Sequence, residues 1–452
     1  MTRLEVWLDL DQVGWLSHDP QANRFDFDYA PQWSSNPRSF PISPRLPLKT
    51  DAAGPADARS AEVRQFFENL LPEGEALDHA ARANGISKAN LVGLMVALGR
   101  ETSGAIRMAV AIDGAPATAA VLARDAEDTL RPITPEQLSV RIRQRDSTPF
   151  SVWDGRIRLS IAGYQDKIAV YERDGDWYLV EGSRLASTVI VKPVPVRPHL
   201  AGLPGNEFMC MQLAARVGLP VAQTRLVHVP EPVLLVQRFD RREDAQRVQR
   251  LHIIDACQAL GLSVSMKYER PYGDGVDVRN IRDGVSYRRL FGLLSHSPQP
   301  ARERQALLDW AIFQVLIGNT DAHGKNVSFF CSNAGLTLAP AYDMVCTRAL
   351  GDPQLGDTYA MAIGDAFCEA ELSPIEWASF ASECGLPIKL VARRLALLAE
   401  RVAAALPDLA TDARKAGVPD DVVDGVVTQI AQCCETQADM APKVARLRSS
   451  DL

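Results

Sequence analysis

The sequence lacks the features that mark membrane proteins, disulfide-stabilised proteins and proteins that coat nucleic acid. None of its 452 residues belong to an apolar run near the roughly 18 residues that a spanning helix needs, and the charged, strand-like start MTRLEVWLDL is unlike a signal peptide. No C-x-x-C pair occurs among the eight cysteines, several of which lie in or beside apolar stretches, so we expect reduced core thiols. The formal charge of -7, with no long block of like charge, argues against a broad nucleic-acid contact and leaves a small local one open. These absences favour a cytoplasmic protein that does not engage a membrane.

Length and hydrophobic patterning predict several packed units, because a chain this long exceeds what one core usually supports. Apolar residues recur with strand and helix periods in turn, which predicts an α+β fold. The predicted units are an N-terminal accessory unit of strands and helices at 1–112, a short helical connector at 113–150, a unit of short antiparallel strands at 151–245, and a mainly helical unit at 246–452.

An apolar helix that runs directly into a polar loop is the most informative stretch of the sequence. Apolar residues recur at helical spacing over 307–316 and Gly318 supplies a helix stop, so 319–326 is predicted to be a loop fixed by a buried helix. Asp321 and Asn326 are five residues apart, as in the protein-kinase catalytic loop, where the aspartate orients the attacking hydroxyl and the asparagine holds magnesium. Alone, the Asp-Ala-His triplet at 321–323 is equally consistent with a surface turn or half a metal site.

Three further residues follow one another in the order of a kinase. Lys192 closes a β-branched strand, as does the kinase lysine that contacts the α- and β-phosphates, although it could also be a simple strand-edge charge. Glu207, in the helix that we expect to open at Asn206, could hold that lysine. Asp343 follows a predicted hairpin at 327–338 and would supply a carboxylate to magnesium, which prefers oxygen ligands.

The tight segment at 160–167 joins two predicted strands and is rich in small residues, so its backbone N–H groups could approach an anion. The general kinase marks G-x-G-x-x-G and D-F-G are absent. The order of the parts, rather than the general signature, therefore carries the kinase interpretation.

Several motifs also carry a family resemblance that extends over nearly the whole chain. They are YAPQW at 29–33, FENLLP at 67–72, SIAG at 160–163 with Gln165 and Lys167, VQRFDRR at 236–242, KYE at 267–269 and LIGNTDAHGKN at 316–326. Together they resemble the HipA toxin kinases of bacterial type II toxin–antitoxin modules. The resemblance implies a two-lobed kinase-like fold, with a β-rich N-terminal lobe that carries an accessory subdomain and an all-helical C-terminal lobe.

The resemblance also implies an activity and partners. It implies a serine/threonine protein kinase that uses ATP and Mg²⁺, blocks translation and induces growth arrest and persistence. The family's precedent for a protein substrate is an aminoacyl-tRNA synthetase, often the glutamate enzyme. The implied partner is a helix-turn-helix, HipB-like antitoxin, through which any contact with DNA would be mainly indirect.

Carried over position by position, the resemblance implies a role for each residue of the candidate site. Asp321 resembles the catalytic base, Asn326 and Asp343 the magnesium ligands, and Ser160 the autophosphorylation serine whose modification pulls the phosphate loop out of the site. The implied ATP-binding residues are Ala162, Gly163, Tyr164, Gln165, Asp166 and Lys167 of the phosphate loop, the phosphate-contacting Lys192, Gln237, Arg238 and Phe239 at the adenine-facing hinge, and Asp240, His323, Lys325, Asn326, Tyr342 and Asp343. Without the resemblance, Ser160 would be read as an ordinary turn hydroxyl. Gln237 departs from a glutamate in the best-known member, and Tyr164 replaces a small residue.

Two other hypotheses compete with a toxin kinase. One is a catalytically silent module with a kinase fold that binds an antitoxin and modulates its affinity for DNA; the other is a small-molecule kinase. The sequence also leaves open whether Arg238, Arg241 and Arg242 form a solvated charge cluster, an interlobe ion-pair site or a contact to an acidic partner.

Overall fold

A computed structural model describes residues 2–49, 55–99, 101–110, 128–145, 149–154, 156–157, 165–295, 297–351 and 356–452. The phosphate-loop positions Ser160, Ala162, Gly163 and Tyr164 lie outside these residues. No helix among the described residues is long and apolar enough to cross a membrane. All eight cysteines are free and seven are buried, which confirms the prediction of reduced core thiols.

The accessory unit is an antiparallel sheet covered by helices, as the alternating and helical patterns predict. Its strands are β1 (Thr2–Leu8), β2 (Asp11–Asp19), β3 (Arg24–Tyr29) and β4 (Ile106–Val110), in the order β3-β2-β1-β4. Its helices are α1 (Pro31–Ser34), α2 (Ala56–Glu68), α3 (Gly74–Ala83) and α4 (Leu91–Leu98). Phe27 of β3 packs against Phe67 of α2, because the alternating face of the strand and the apolar stripe of the helix are buried together.

The second unit is a six-stranded antiparallel sheet in the order β11-β12-β10-β8-β9-β5. Its strands are β5 (Thr129–Ile133), β8 (Ile168–Arg173), β9 (Asp176–Glu181), β10 (Val189–Pro193), β11 (Thr224–His228) and β12 (Pro232–Gln237). The short pair β6 (Val152–Trp153) and β7 (Arg156–Ile157) and the helices α5 (Pro135–Arg143) and α6 (Leu203–Arg216) accompany it.

Two expectations for this unit need correction. The interval 113–150 is not purely a helical connector, because β5 pairs with β9 and forms the edge of the sheet. The edge position tolerates Pro132, which cannot donate a ladder hydrogen bond. Helix α6 begins at Leu203 rather than at Asn206, whose side chain instead bonds the backbone of Cys346.

The C-terminal lobe is mainly helical, and the hairpin predicted at 327–338 is present. The lobe contains α7 (Ala256–Leu260), α8 (Tyr287–Leu294), α9 (Pro300–Leu316), α10 (Pro374–Glu383), α11 (Ile388–Lys415) and α12 (Asp420–Val444). The strands β13 (Arg241–Glu243) and β14 (Val248–Arg250) form one ribbon, and β15 (Ile253–Asp255), β16 (Ser328–Ser332) and β17 (Gly335–Leu338) form a three-stranded sheet. Of these strands, β14 to β17 lie within 246–452 and are exceptions to the all-helical lobe that the resemblance implied.

The accessory unit and the C-terminal lobe share one hydrophobic core, which also includes Leu234 and Val236 of β12, whereas the other face of the six-stranded sheet packs into a second core. Leu4 and Phe67 belong to the same buried cluster as Leu307 and Ile430. Ile168 and Leu235 belong to a second cluster, between the sheet and α5. The accessory unit is therefore built into the body of the protein.

A buried charge cluster also ties the accessory unit to the segment after β12. Arg238 lies 3.0 Å from Glu101 and 2.7 Å from Asp240, and Arg241 lies 3.1 Å and 2.8 Å from the same two carboxylates. Arg242 is exposed. Of the three roles that the sequence leaves open, Arg238 and Arg241 therefore form a buried ion-pair site, here between the accessory unit and the hinge.

We expect Glu101→Gln to lower the free energy of unfolding by about 2–4 kcal/mol at pH 7, because buried guanidinium groups lose their shared carboxylate. Burial alone would raise the pKa of Glu101, but Arg241, Arg250 and Arg238 outweigh it and hold the pKa at about 2. A depressed carboxyl pKa stabilises the fold above the ordinary value of 4.5, and this stabilisation is lost as the pH falls towards 2. Urea unfolding of the variant and the wild type should therefore differ more at pH 7 than at pH 3. A loss as large at pH 3 as at pH 7 would contradict this role for the charge.

Candidate active site

The predicted site residues line one cleft where the two lobes and the accessory unit meet. The cleft encloses about 600 Å³, within the range usual for small-molecule sites. Lys192 lines it from the six-stranded sheet, Asp321 and Asp343 from the C-terminal lobe, and Asn69 and Glu73 from the accessory unit. All three units therefore contribute side chains to the cleft.

The loop at 319–326 is fixed by hydrogen bonds that hold the backbone of Asp321. Helix α9 ends at Leu316, and Gly318 takes the left-handed conformation (φ 62°) that turns the chain. The side-chain oxygen of Asn319 accepts from the N–H of Asp321 at 3.0 Å, and the side-chain N–H of Asn326 donates to the Asp321 carbonyl at 3.0 Å. These two bonds do not involve the carboxylate of Asp321, whose direction is set by other contacts. They also do not use the amide oxygen of Asn326, which could therefore serve as a metal ligand.

The Asp321 carboxylate accepts a hydrogen bond from the hydroxyl of Tyr268, with 2.7 Å between Oδ1 and Oη. Burial raises the pKa of Asp321 to about 6, and the bond from Tyr268 works in the opposite direction. A carboxylate whose pKa lies near neutral pH is a stronger proton acceptor than an exposed aspartate. Asp321 is thus suited to general-base catalysis.

Lys192 bridges two carboxylates across the cleft. Its ammonium group lies 2.6 Å from Glu207 of α6 and 2.6 Å from Asp343. Burial alone would lower the pKa of Lys192, but Asp343 and Glu207 outweigh it and raise the pKa. Burial would raise the pKa of Asp343, and the nearby cations Lys192 and Lys167 hold it well below its usual range. The expected Lys192–Glu207 contact is therefore present, and Asp343 is an anion.

Asn326 and Asp343 fit a magnesium ion that enters with a nucleotide. Among the described residues no three His, Cys, Asp or Glu side chains lie together as a metal site. Magnesium, however, commonly takes only one or two protein ligands and completes its shell with phosphates and water. The carboxylate of Asp343, whose side chain is 36% exposed, and the amide oxygen of Asn326 are hard donors of the required kind.

The residues predicted around the adenine divide into those that face the cleft and those whose side chains are occupied elsewhere. The rings of Phe239 and Tyr342 pack against each other, with their centroids 5.6 Å apart, and both residues line the cleft. The backbone N–H groups of Gln237 and Arg238 already donate to the carbonyls of Gln223 and Thr188. The side chains of Arg238 and Asp240 are held in the buried charge cluster, so their predicted contact with ATP is limited to backbone atoms.

Of the two residues predicted on the nucleotide side, Lys325 has protein partners, whereas the buried Nδ1 of His323 has no hydrogen-bond partner among the described residues. The ammonium of Lys325 bonds Asp255 and the carbonyl and side-chain oxygens of Asn69. His323 is buried, and burial lowers its pKa to about 3, so the imidazole is neutral at pH 7. Both line the cleft, yet the charge of Lys325 is neutralised by the protein itself.

The described end of the predicted phosphate loop also reaches the cleft. Gln165, Asp166 and Lys167 line it. Burial, followed by the nearby charge of Lys192, lowers the pKa of Lys167 to about 8. Lys167 therefore places a second cation, mostly protonated at pH 7, near Asp343.

Several residues of the cleft were assigned no role from the sequence. Four of them are Asn69, Glu73, Lys267 and Tyr268. All but Glu73 lie in motifs that carry the family resemblance, and this was the one feature of the sequence that could have indicated a functional role for them. Their roles arise from contacts between distant parts of the chain, such as the 2.7 Å ion pair between Glu73 and Lys267.

The chain matches two protein families in sequence. The HipA N-terminal domain family matches residues 4–109 and the HipA-like C-terminal domain family matches residues 159–409. The serine/threonine-protein kinase toxin HipA of Shewanella oneidensis is 39% identical over 409 residues, which cover 90% of this chain and 89% of that protein. A putative kinase of Sinorhizobium fredii, Y4mE, is 34% identical over 412 residues, covering 90% and 92% of the two chains.

The fold also matches a solved structure, the complex of HipA, HipB and operator DNA from Shewanella oneidensis. The match has a TM-score of 0.82 and 36% sequence identity, and it covers 98% of this chain and 100% of the other. The two-lobed kinase-like architecture expected from the sequence is thereby confirmed.

Proposed function

The chain belongs to the HipA family, and we propose that it transfers the γ-phosphate of ATP to a serine or threonine of a protein and acts as the toxin of a toxin–antitoxin module. The observation that carries the proposal is the meeting of Asp321, Asn326, Lys192 and Asp343 in one cleft. Phosphoryl transfer requires little covalent work of a protein; it requires cations over the phosphates, oxygen ligands for magnesium and a base aimed at the nucleophile. The cleft contains each of these groups.

Each residue then has a defined task. Asp321 accepts a hydrogen bond from the substrate hydroxyl, orients it and takes its proton as the new P–O bond forms and the bond from the γ-phosphorus to the departing ADP breaks. Lys192 exchanges its contact with Asp343 for the nucleotide phosphates and keeps Glu207 as its fixed partner. Asn326 and Asp343 would hold magnesium, which supplies charge neutralisation at the β- and γ-phosphates. Phe239 and Tyr342, which pack against each other in the cleft, would offer an apolar surface to the adenine.

The relatives supply the proposed partners. The solved Shewanella complex contains HipA, HipB and operator DNA, so we propose a helix-turn-helix, HipB-like antitoxin as the partner of this chain, with DNA contacted mainly through it. The proposed acceptor is a cytoplasmic aminoacyl-tRNA synthetase, such as glutamate–tRNA ligase. Its modification would block translation and lead to growth arrest and persistence.

We further propose that Ser160 is phosphorylated by the kinase itself and that this silences it. The support is the resemblance of the motif at 160–163 and the position of the loop's described end in the cleft. Ser160→Ala should abolish phosphate incorporation at that position and prolong transfer to acceptor proteins. Mass spectrometry of the purified wild type and variant after incubation with Mg-ATP tests this. Unchanged incorporation in the variant, or equal loss of activity with time in both, would contradict it.

One labelling experiment separates this function from its two rivals. The purified chain is incubated with γ-³²P-ATP, Mg²⁺ and a dialysed lysate, and proteins and small molecules are then resolved. We expect label in discrete protein bands, and its loss when EDTA removes the magnesium. Label in metabolites alone would favour a small-molecule kinase, and the absence of any transfer would favour a silent, antitoxin-binding module; either result would overturn the proposal.

A further inference from the structure

The two residues Lys267 and Tyr268 contact the catalytic loop from outside it. Besides its hydrogen bond to Asp321, Tyr268 places its ring edge-on against His323, with the ring centroids 5.2 Å apart. The carbonyl of Lys267 accepts from the N–H of Gly324 at 2.9 Å. The pair is therefore fastened to the loop through both a side chain and the backbone.

The same two residues are held on their other side by the accessory unit. The ammonium of Lys267 lies 2.7 Å from the carboxylate of Glu73, which immediately precedes α3. Both side chains are only 7% exposed. A second bridge between the same two parts runs from Asn69 to Lys325. The accessory segment 69–73 thus contacts the catalytic loop and its neighbour at two buried points.

We propose that Tyr268 is a positioning residue for Asp321, and that the accessory unit sets its position through the ion pair between Glu73 and Lys267. The inference rests on the proposed kinase function, in which Asp321 is the base. A carboxylate can rotate about its Cβ–Cγ bond, and a hydrogen bond to Oδ1 fixes that rotation. The other oxygen is then held in one direction for the substrate hydroxyl.

The ion pair matters because Lys267 lines the cleft in which the proposed function places the phosphates of the nucleotide. The carboxylate of Glu73 holds the ammonium group of Lys267 in its present position. Without that carboxylate, the lysine would turn towards the phosphates of the nucleotide and displace the adjacent Tyr268. Small displacements of a catalytic group are costly, since about 1 Å can reduce a rate by about 10²-fold. The accessory unit is therefore part of the catalytic apparatus.

The test compares Tyr268→Phe, Glu73→Gln and the double variant in the full chain, with myelin basic protein as a generic acceptor and γ-³²P-ATP as the donor. Tyr268→Phe removes one oxygen and keeps the ring against His323. We expect its kcat to fall about tenfold, with the KM for ATP within about twofold of the wild type. Glu73→Gln should lower kcat in the same manner, and the double variant should be no slower than the slower single variant, because both act through one contact.

The controls are Tyr272→Phe, an exposed tyrosine four residues along the chain, and Glu68→Gln at the end of α2; both should retain the wild-type kcat. If a thermal melt shows that Glu73→Gln is unfolded, Tyr268→Phe alone tests whether Tyr268 positions Asp321. A kcat within twofold of the wild type for Tyr268→Phe, or effects of the two substitutions that multiply, would overturn the positioning role and leave the proposed kinase function intact. No transfer by the wild type to this or any lysate protein would instead overturn the proposed function, and the positioning role with it.

Discussion

Replacement of Asp321 by asparagine is expected to slow phosphoryl transfer by about 10²–10⁴-fold, the usual contribution of a positioned general base. The amide keeps the shape of the side chain but cannot accept the proton. The fold should persist, because Asn319 and Asn326 hold the backbone of residue 321 rather than its carboxylate. ATP affinity, measured by calorimetry with Mg-ATP, should stay within about twofold, because the proposed base is not a ligand of the nucleotide.

The matched control is Asp421→Asn, an exposed aspartate in the first turn of α12. It should leave both transfer and ATP affinity unchanged. If Asp321→Asn kept more than about a tenth of the wild-type rate, Asp321 would not be the base, since that loss is smaller than the least that general-base catalysis contributes.

Replacement of Lys192 by methionine is expected to reduce both activity and stability. Glu207 is only 1% exposed, and removing its cation leaves a buried carboxylate uncompensated, at a cost of about 3–5 kcal/mol. Activity should also be lost, because the proposed cation over the phosphates is gone. Urea unfolding and transfer of label from ATP measure the two effects separately.

The matched variant is the double substitution Lys192→Met with Glu207→Met. Apolar residues of similar volume should recover most of the stability, because replacing a whole buried ion pair is often nearly neutral. Activity should stay low in the double variant. Equal instability of the single and double variants would show that Glu207 does not depend on Lys192, and recovery of activity would show that Lys192 does not act on the phosphates.

The sequence predicts those parts of the site that depend on local spacing. Asp321 and Asn326 share one loop, so a separation of five residues and a helix stop at Gly318 are enough to propose them together. Lys192 could be added because it lies at the end of a recognisable strand, and Asp343 because it follows a recognisable hairpin. In each case the spacing of apolar residues over a few positions indicates whether the backbone is a helix or a strand.

Contacts between distant segments could not be predicted in this way. Glu73 and Lys267 are separated by 194 positions, and nothing local indicates that their charges meet. The same applies to Glu101, which holds the side chain of Arg238 in the buried cluster although Arg238 is itself one of the predicted ATP contacts. Strand β5 was missed for a different reason, since Pro132 interrupts its pattern and an edge strand tolerates the interruption.

The accessory unit is the part whose interpretation changes most. The sequence indicates a separate unit joined by a connector, whereas Leu4 and Phe67 share the core of the C-terminal lobe. Asn69 and Glu73 also reach the cleft. A truncation that removed residues 1–112 would therefore expose a large apolar surface on the kinase lobe.

Quantitative phosphoproteomics of cells shortly after induction tests whether the chain phosphorylates proteins in a manner that depends on Asp321. Cells that express the wild type are compared with cells that express Asp321→Asn at matched levels. We expect one or a few serine or threonine sites, on an aminoacyl-tRNA synthetase among them, to gain phosphate in the wild type alone, before growth slows. If the same sites gained phosphate in both strains, Asp321 would not be the base of the reaction. Growth arrest in the wild type without any new protein phosphosite would show that the chain does not act as a protein kinase toxin.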